Sequence, residues 1–195
     1  MKKKNKKVNA AILIIGNEIL SGRTQDRNIS FISKWLNSKC GISVEEVRII
    51  PDVEKKIIDN IITLSKKFKY VFTTGGIGPT HDDITAQSIS KAFKKKYEFH
   101  KEAYSILEKY YGLNKFNEGR KKMARMPRGS KLIYNPASAA PGFKIKNVIS
   151  LPGVPSILNS MIENCKKYLV KGSKVHSKTI NIITVESNIS KQLGI

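Results

Sequence analysis

Residues Thr74-Gly75-Gly76-Ile77-Gly78-Pro79-Thr80-His81-Asp82-Asp83 bring together the groups that phosphate chemistry needs. Glycines let a backbone approach an anion closely and adopt positive φ, and free N–H groups at a helix start face negative charge. The hydroxyls of Thr74 and Thr80 add donors, and the carboxylates of Asp82 and Asp83 add oxygen ligands for a divalent cation. Gly-Gly and Gly-Pro also mark ordinary tight turns. Here, however, glycine, hydroxyl and paired carboxylate lie together between an apolar run, Tyr70-Val71-Phe72, and an amphipathic stretch from Ile84 to Phe93. Adjacent side chains on a helix start diverge by about 100°, so one of the two aspartates faces a ligand while the other caps the helix. Asp83 is the expected catalytic and metal-binding partner, and Asp82 a ligand-site neighbour. Glu18, after the first apolar run, is the second catalytic candidate, as a general base or metal ligand. Its bland alternative is a loop acid paired with one of many basic residues. His81 has no histidine partner nearby in sequence and reads as a loop residue.

The elements that must position these groups alternate in type. Residues 8–15 form a continuous apolar run, as expected for a strand covered on both faces of a parallel sheet. Residues 16–24 read as a loop. Thr24 or Asp26 caps a helix carrying Ile29, Ile32, Trp35 and Leu36 at helical spacing, and Gly41 stops it. A second strand spans 42–50, a helix 53–67 and a third strand 70–73. This order implies right-handed crossovers and an α/β fold: three layers, a mostly parallel sheet with helices on both faces. Ligands of such sheets lie beyond the carboxyl ends of the strands, where the loops 16–22 and 75–83 both fall. Further on come a helix through Ala103, Ile106, Leu107 and Tyr110, and a short helix over 120–126 stopped by Pro127. After these come the apolar run 132–134, a loop over 135–142, strands 143–145 and 148–151, and a helix over 157–169. Leu151-Pro152-Gly153-Val154-Pro155-Ser156 again sets a Gly/Pro turn between strand and helix. A lone strand over 179–185 and a capped helix start at Ser187 read as the opening of a small C-terminal subdomain. The expected organisation is a basic tail over 1–7, a domain over 8–171 and a partial extension over 172–195.

Composition narrows the classes of function. The chain has 195 residues, 40% of them hydrophobic and 26% charged, which suits one globular domain. Its net charge of +21 raises nucleic acid as a partner. The basic residues are dispersed beyond the tail, though, and no aromatic-interleaved RNA-binding signature appears, so nucleic acid is not the expected partner. Two cysteines without Cys-x-x-Cys spacing give neither a zinc site nor a disulfide framework. The lysine-led start followed by Ala10–Ile15 lacks a cleavage site, and no stretch reaches membrane-spanning length, so a cytoplasmic protein is expected.

Taken in order, five blocks resemble the molybdopterin-binding domain family of MoaB and MogA, and most closely its branch formed by the N-terminal domains of CinA-like competence/damage-inducible proteins. They are Gly16-Asn17-Glu18-Ile19-Leu20-Ser21-Gly22, Thr74 to Asp83, Met123-Ala124-Arg125-Met126-Pro127, Asn135-Pro136 with Ala140-Pro141-Gly142, and Leu151-Pro152-Gly153-Val154-Pro155. The resemblance implies a pocket for a phosphorylated pterin or an adenine nucleotide, a small phosphorylated ligand in either case. It implicates Thr74, Gly75, Gly76, Gly78, Thr80, Asp82 and Asp83, with Glu18 and Ser21 from the first loop and Gly153 and Ser156 from the last. It also implies metal-assisted phosphoanhydride chemistry of the ADP-ribose pyrophosphatase type, with Mg²⁺ as the expected ion, and a homo-oligomer. The alternative is a non-catalytic module that binds a ligand or a partner. The amidohydrolase domain of full-length CinA proteins has no counterpart in these residues, so its activity does not carry over.

Overall fold

A computed structural model describes residues 8–173 and 183–193. Its centre is a six-stranded sheet of order β2-β1-β3-β8-β7-β6. The strands are β1 (Val8–Ile15), β2 (Ile42–Ile50), β3 (Tyr70–Thr74), β6 (Lys131–Ile133), β7 (Gly142–Ile145) and β8 (Val148–Leu151). β2, β1, β3 and β8 run parallel, β7 returns antiparallel to β8, and β6, antiparallel to β7, runs again in the first direction. The fold is therefore the three-layer, mostly parallel α/β arrangement expected from the alternation of elements.

β1 shows why its sequence is apolar without alternation. Ala11, Leu13 and Ile15 pack on one face against Ile57, Ile61 and Leu64 of α3 (Glu54–Lys67) and Ile89 of α4 (Thr85–Ala92). Ala10, Ile12 and Ile14 pack on the other against Ile32 and Trp35 of α2 (Asn28–Trp35) and Leu158 and Met161 of α7 (Pro155–Met161). All six β1 residues are buried, so neither face tolerates a polar side chain.

Several boundaries differ from the sequence reading. The loop after β1 contains one helical turn, α1 (Asn17–Leu20). Asp26 caps α2: its Oδ1 accepts the Ile29 N–H at 2.8 Å. The helix then widens into a π turn over Leu36–Cys40 before Gly41 ends it. The segment expected as a helix over 120–126 divides in two. α6 (Glu118–Lys122) ends early, and Arg125–Pro127 is a strand, β5, paired antiparallel with β4 (Tyr97–Phe99). Here tertiary context overrides local propensity, because Met126 turns inward and is 1% exposed. Pro127 suits a short, two-stranded ribbon with free edges. α5 (Lys101–Tyr111) bridges this ribbon to α6. The helix expected over 157–169 starts at Pro155 and tightens into a 3₁₀ helix over Ile162–Tyr168.

The strand expected over 179–185 lies for the most part outside the described residues, and the part within them, 183–185, is not strand. A 3₁₀ turn, Glu186–Asn188, and a short helix, α8 (Ser190–Leu193), follow. Among the described residues, no helix is long and apolar enough to cross a membrane.

Candidate functional site

Sheet order 2-1-3 places the topological switch between β1 and β3, and the loops leaving β2, β1, β3 and β8 all emerge at the same edge. Each loop is fixed by a contact to its neighbour. The Gly16 N–H donates to Ile50 O at 3.1 Å, and the Asn17 N–H donates to Asp52 Oδ2 at 2.8 Å, which ties the β1 loop to the end of β2. The Gly75 N–H donates to Leu151 O at 3.2 Å, and the Thr73 hydroxyl donates to Ser150 Oγ at 2.9 Å, which ties β3 to β8.

The turn itself requires glycine twice. Gly75 has φ of 97° and lies so close to β1 that a Cβ would come within 2.1 Å of Ile15 O. Gly76 has φ of 67°, and a Cβ there would meet Thr85 Oγ1 at 2.2 Å. The Thr85 N–H donates to Gly76 O at 2.9 Å, which joins the turn to the start of α4. The N–H groups of Gly76, Ile77 and Gly78 make no hydrogen bond among the described residues.

These loops surround a cleft of about 700 Å³. Of the residues singled out in the sequence, Glu18, Gly75, Gly76, Gly78, Asp82, Asp83 and Gly153 line it. Thr74 is buried at the end of β3 and lines a smaller recess of about 50 Å³, which shares Glu18 and Gly153 with the cleft. Ser21, Thr80 and Ser156 line neither and are exposed. The Ser21 hydroxyl donates to Glu18 O, and Ser156 sits in the first turn of α7. Thr80 donates to Asp83 Oδ2 twice, from its backbone N–H at 2.9 Å and its hydroxyl at 2.5 Å. Asp83 is thus the brace of the glycine loop as well as part of the cleft wall.

The acidic wall is larger than the sequence suggested. Asp52 lines the cleft too, and its carboxyl is raised above the ordinary value. Desolvation is the main cause. The Asn17 N–H opposes it, and the charges of Glu18, Asp82 and Asp83 reinforce it. Asp82 is drawn lower chiefly by the nearby Thr80 and its own backbone, and by the charges of His81 and Lys122. Among the described residues, no three His, Cys, Asp or Glu side chains gather closely enough to hold a metal ion.

The opposite wall comes from α5, α6 and the 135–141 loop. Arg120 stacks on the Tyr111 ring at 4.2 Å, and both line the cleft. The Lys122 ammonium donates to Thr80 O, which ties α6 to the glycine loop. Asn135 is 7% exposed. Its Oδ1 accepts from Ala137 and Ser138, and its Nδ2 donates to Ser138 Oγ and Ala140 O, so it shapes the rim. Sequence reasoning did not single out Asp52 or Tyr111. Asp52 had a usable signal, because it follows a parallel strand directly, as Glu18 nearly does. Tyr111 had none, since nothing local says which way a helix end points.

The sequence profile of the family described as "Probable molybdopterin binding domain" matches residues 11–171. A protein of Archaeoglobus fulgidus is 35% identical over 94% of the chain and 78% of its own length. A CinA-like protein of Sulfurihydrogenibium is 34% identical over 91% of the chain, and the match spans 46% of that longer protein. Among solved structures, CinA from Thermoplasma acidophilum matches with a TM-score of 0.77 at 31% identity, over 83% of this chain and 98% of that one. MoaB of Thermus thermophilus matches with a TM-score of 0.53 over 83% of this chain and 91% of its own. At 16% identity, that likeness is one of fold alone.

Proposed function

The chain belongs to the molybdopterin-binding domain family and is CinA-like, and from that premise we propose that its cleft binds a phosphorylated pterin or an adenine nucleotide, with a phosphate on the Gly76–Gly78 turn. One observation carries this reading. Three successive backbone N–H groups lie unpaired among the described residues in the glycine turn between β3 and α4, in the wall of a cleft whose volume suits a ligand of that size. Arg120 and Tyr111 offer a cation and an aromatic face to the organic part of the ligand.

Among the described residues no three carboxylates stand close enough to hold a cation by themselves, so a hard cation here would need the ligand's own oxygens. Glu18, Asp52, Asp82 and Asp83 are the oxygen donors on the wall, and burial disfavours ionisation of Asp52, with the other three charges reinforcing it. Asp83, with Glu18 or Asp82, would hold Mg²⁺, and ligand phosphates would complete its shell, as is usual for this ion. When bound, Mg²⁺ would neutralise charge on the phosphate oxygens of an anhydride. The chain's own contribution is to hold the phosphates on the glycine turn and to offer Glu18 as the group that takes a proton from attacking water. The second reading is a non-catalytic module, and the two hydrogen bonds from Thr80 to Asp83 favour it, because they give that carboxylate a purely structural duty. The same family premise carries a homo-oligomer acting in the cytoplasm, and light scattering at several concentrations tests its assembly.

Calorimetric titration with molybdopterin, ADP-ribose and ATP, with and without Mg²⁺ and followed by product analysis, tests the whole reading. Metal-dependent binding with anhydride cleavage that Asp83→Asn abolishes, in a variant that still melts cooperatively, supports the enzyme. Binding without product supports the module. Absence of binding to every ligand would refute both.

A further inference from the structure

Beside the cleft, the recess between the ends of β1 and β3 and the start of α2 holds two polar atoms that the fold leaves unpaired. Asn28 is 3% exposed and Thr74 is 1% exposed, and both line the recess. The Asn28 Nδ2 donates to Gly153 O at 2.8 Å. A carbonyl only accepts, so this bond fixes the amide orientation and leaves Oδ1 turned away from Gly153. Neither Asn28 Oδ1 nor Thr74 Oγ1 has a hydrogen-bond partner among the described residues. Buried polar groups are paired in the great majority of cases, and an unpaired one costs stability. Two of them in one recess, adjoining the site of a proposed ligand, point to a function that offsets that cost.

We propose that this recess is a subsite for a neutral hydrogen-bond donor on the organic part of the ligand, a sugar hydroxyl or an exocyclic amino group. The proposal rests on the reading of the cleft as a pterin or nucleotide site. Asn28 Oδ1 can only accept, and the Thr74 hydroxyl has lone pairs as well as a proton. Glu18, Asp26, Gln25 and Arg27 also line the recess. The unpaired Asn28 Oδ1 calls for an O–H or N–H group and not for a phosphate oxygen. A volume of about 50 Å³ admits one such group and excludes a whole ring. The glycine turn begins at Gly75, directly after Thr74, so a ligand whose phosphate sits on the turn can reach the recess with an adjoining part. The subsite therefore sets which organic group is accepted, and the turn sets that a phosphate is required.

The test is calorimetry on the full chain with ATP and inorganic tripolyphosphate, comparing wild type with Thr74→Val and Thr74→Ser. Valine keeps the shape of threonine and removes the hydroxyl. Thr74→Val is expected to weaken ATP about tenfold while leaving tripolyphosphate unchanged, and Thr74→Ser to restore ATP. With wild type, 2′-deoxyATP, 3′-deoxyATP and ITP then separate the two sources. The analogue that reproduces the loss, and that Thr74→Val no longer affects, lacks the group seated in the recess. Equal weakening of ATP and tripolyphosphate would assign Thr74 to the phosphate and overturn the subsite. Unchanged ATP affinity would leave only solvent in the recess and overturn it as well. In either case, intact tripolyphosphate binding to wild type keeps the reading of the cleft. Failure of wild type to bind either probe would overturn the subsite, and failure to bind molybdopterin as well would sink the reading of the cleft with it.

Discussion

Burial raises the pKa of Asp52, with the neighbouring carboxylates adding to it, and this has a consequence for stability. Its proton is held more tightly in the folded chain than in the unfolded one. The native state therefore binds more protons across the window above the ordinary carboxylate value, and stability falls as pH rises through the raised pKa. Asp52→Asn keeps an oxygen for the Asn17 N–H and removes the desolvated charge together with its repulsion from the other carboxylates. Melting at neutral pH is expected to rise by about 1–2 °C, and the gain to vanish in acid where wild-type Asp52 is already neutral. Scanning calorimetry across pH checks both limbs. Gly76 gives the opposite case. Gly76→Ala must hold a side chain at positive φ against Thr85 Oγ1, so urea unfolding is expected to show a loss of ~1–3 kcal/mol. The mismatch between Gly76 and alanine was legible in the Gly-Gly pair. The crowding around Asp52 was not, because it depends on three carboxylates from two other loops.

Among the elements, the β4–β5 ribbon is held by one inward side chain more than by its charges. Arg128 pairs with Glu98 through two bonds of 2.7 Å, but both groups are exposed, and exposed pairs contribute little. Met126 is buried in the same core as α4 and α5. Met126→Ala is expected to cost about 2–4 kcal/mol and Arg128→Ala under about 0.5 kcal/mol, read from denaturant midpoints. Loss of the Asp26 cap in Asp26→Ala should cost about 1 kcal/mol and loosen the start of α2, visible as faster amide exchange at Ile29. The long helices and buried strands were legible because their apolar period runs over many residues. β4 and β5, at three residues each, offer no period to read, so Arg125–Pro127 passed for the end of a helix.

Across the whole molecule, the net charge of +21 attracts anions to the surface generally, in competition with the proposed site on the glycine turn. A minority of the basic groups are paired, as Lys55 is with Asp59, Lys67 with Glu46 and Lys91 with Glu54, since 36 basic residues face 15 acidic ones, and the rest are dispersed along the chain in small groups. Fluorescence anisotropy with duplex DNA is therefore expected to show only weak binding that falls steeply between about 50 and 200 mM salt, the mark of non-specific charge attraction. On the proposed reading of the cleft, its phosphate ligands should lose far less over the same range. The architecture was legible in the alternation of elements, since each crossover has a required hand. The walls of the cleft were half legible. The glycine, carboxylate and proline-turn blocks stood out, whereas the α5–α6 wall depended on how a distant segment folds back.

The pairing of β3 with β8 also fixes when the site can exist. The glycine turn leaves β3 at Thr74, but the strand that accepts its Gly75 N–H begins at Val148, and Gly153 follows that strand. During synthesis at ~5–20 residues per second, the turn leaves the ribosome about 4–15 s before β8 does. Throughout that interval the nascent chain has the glycine turn and no assembled cleft around it. A ligand therefore cannot template this domain as it is made, and can only hold it once it has closed.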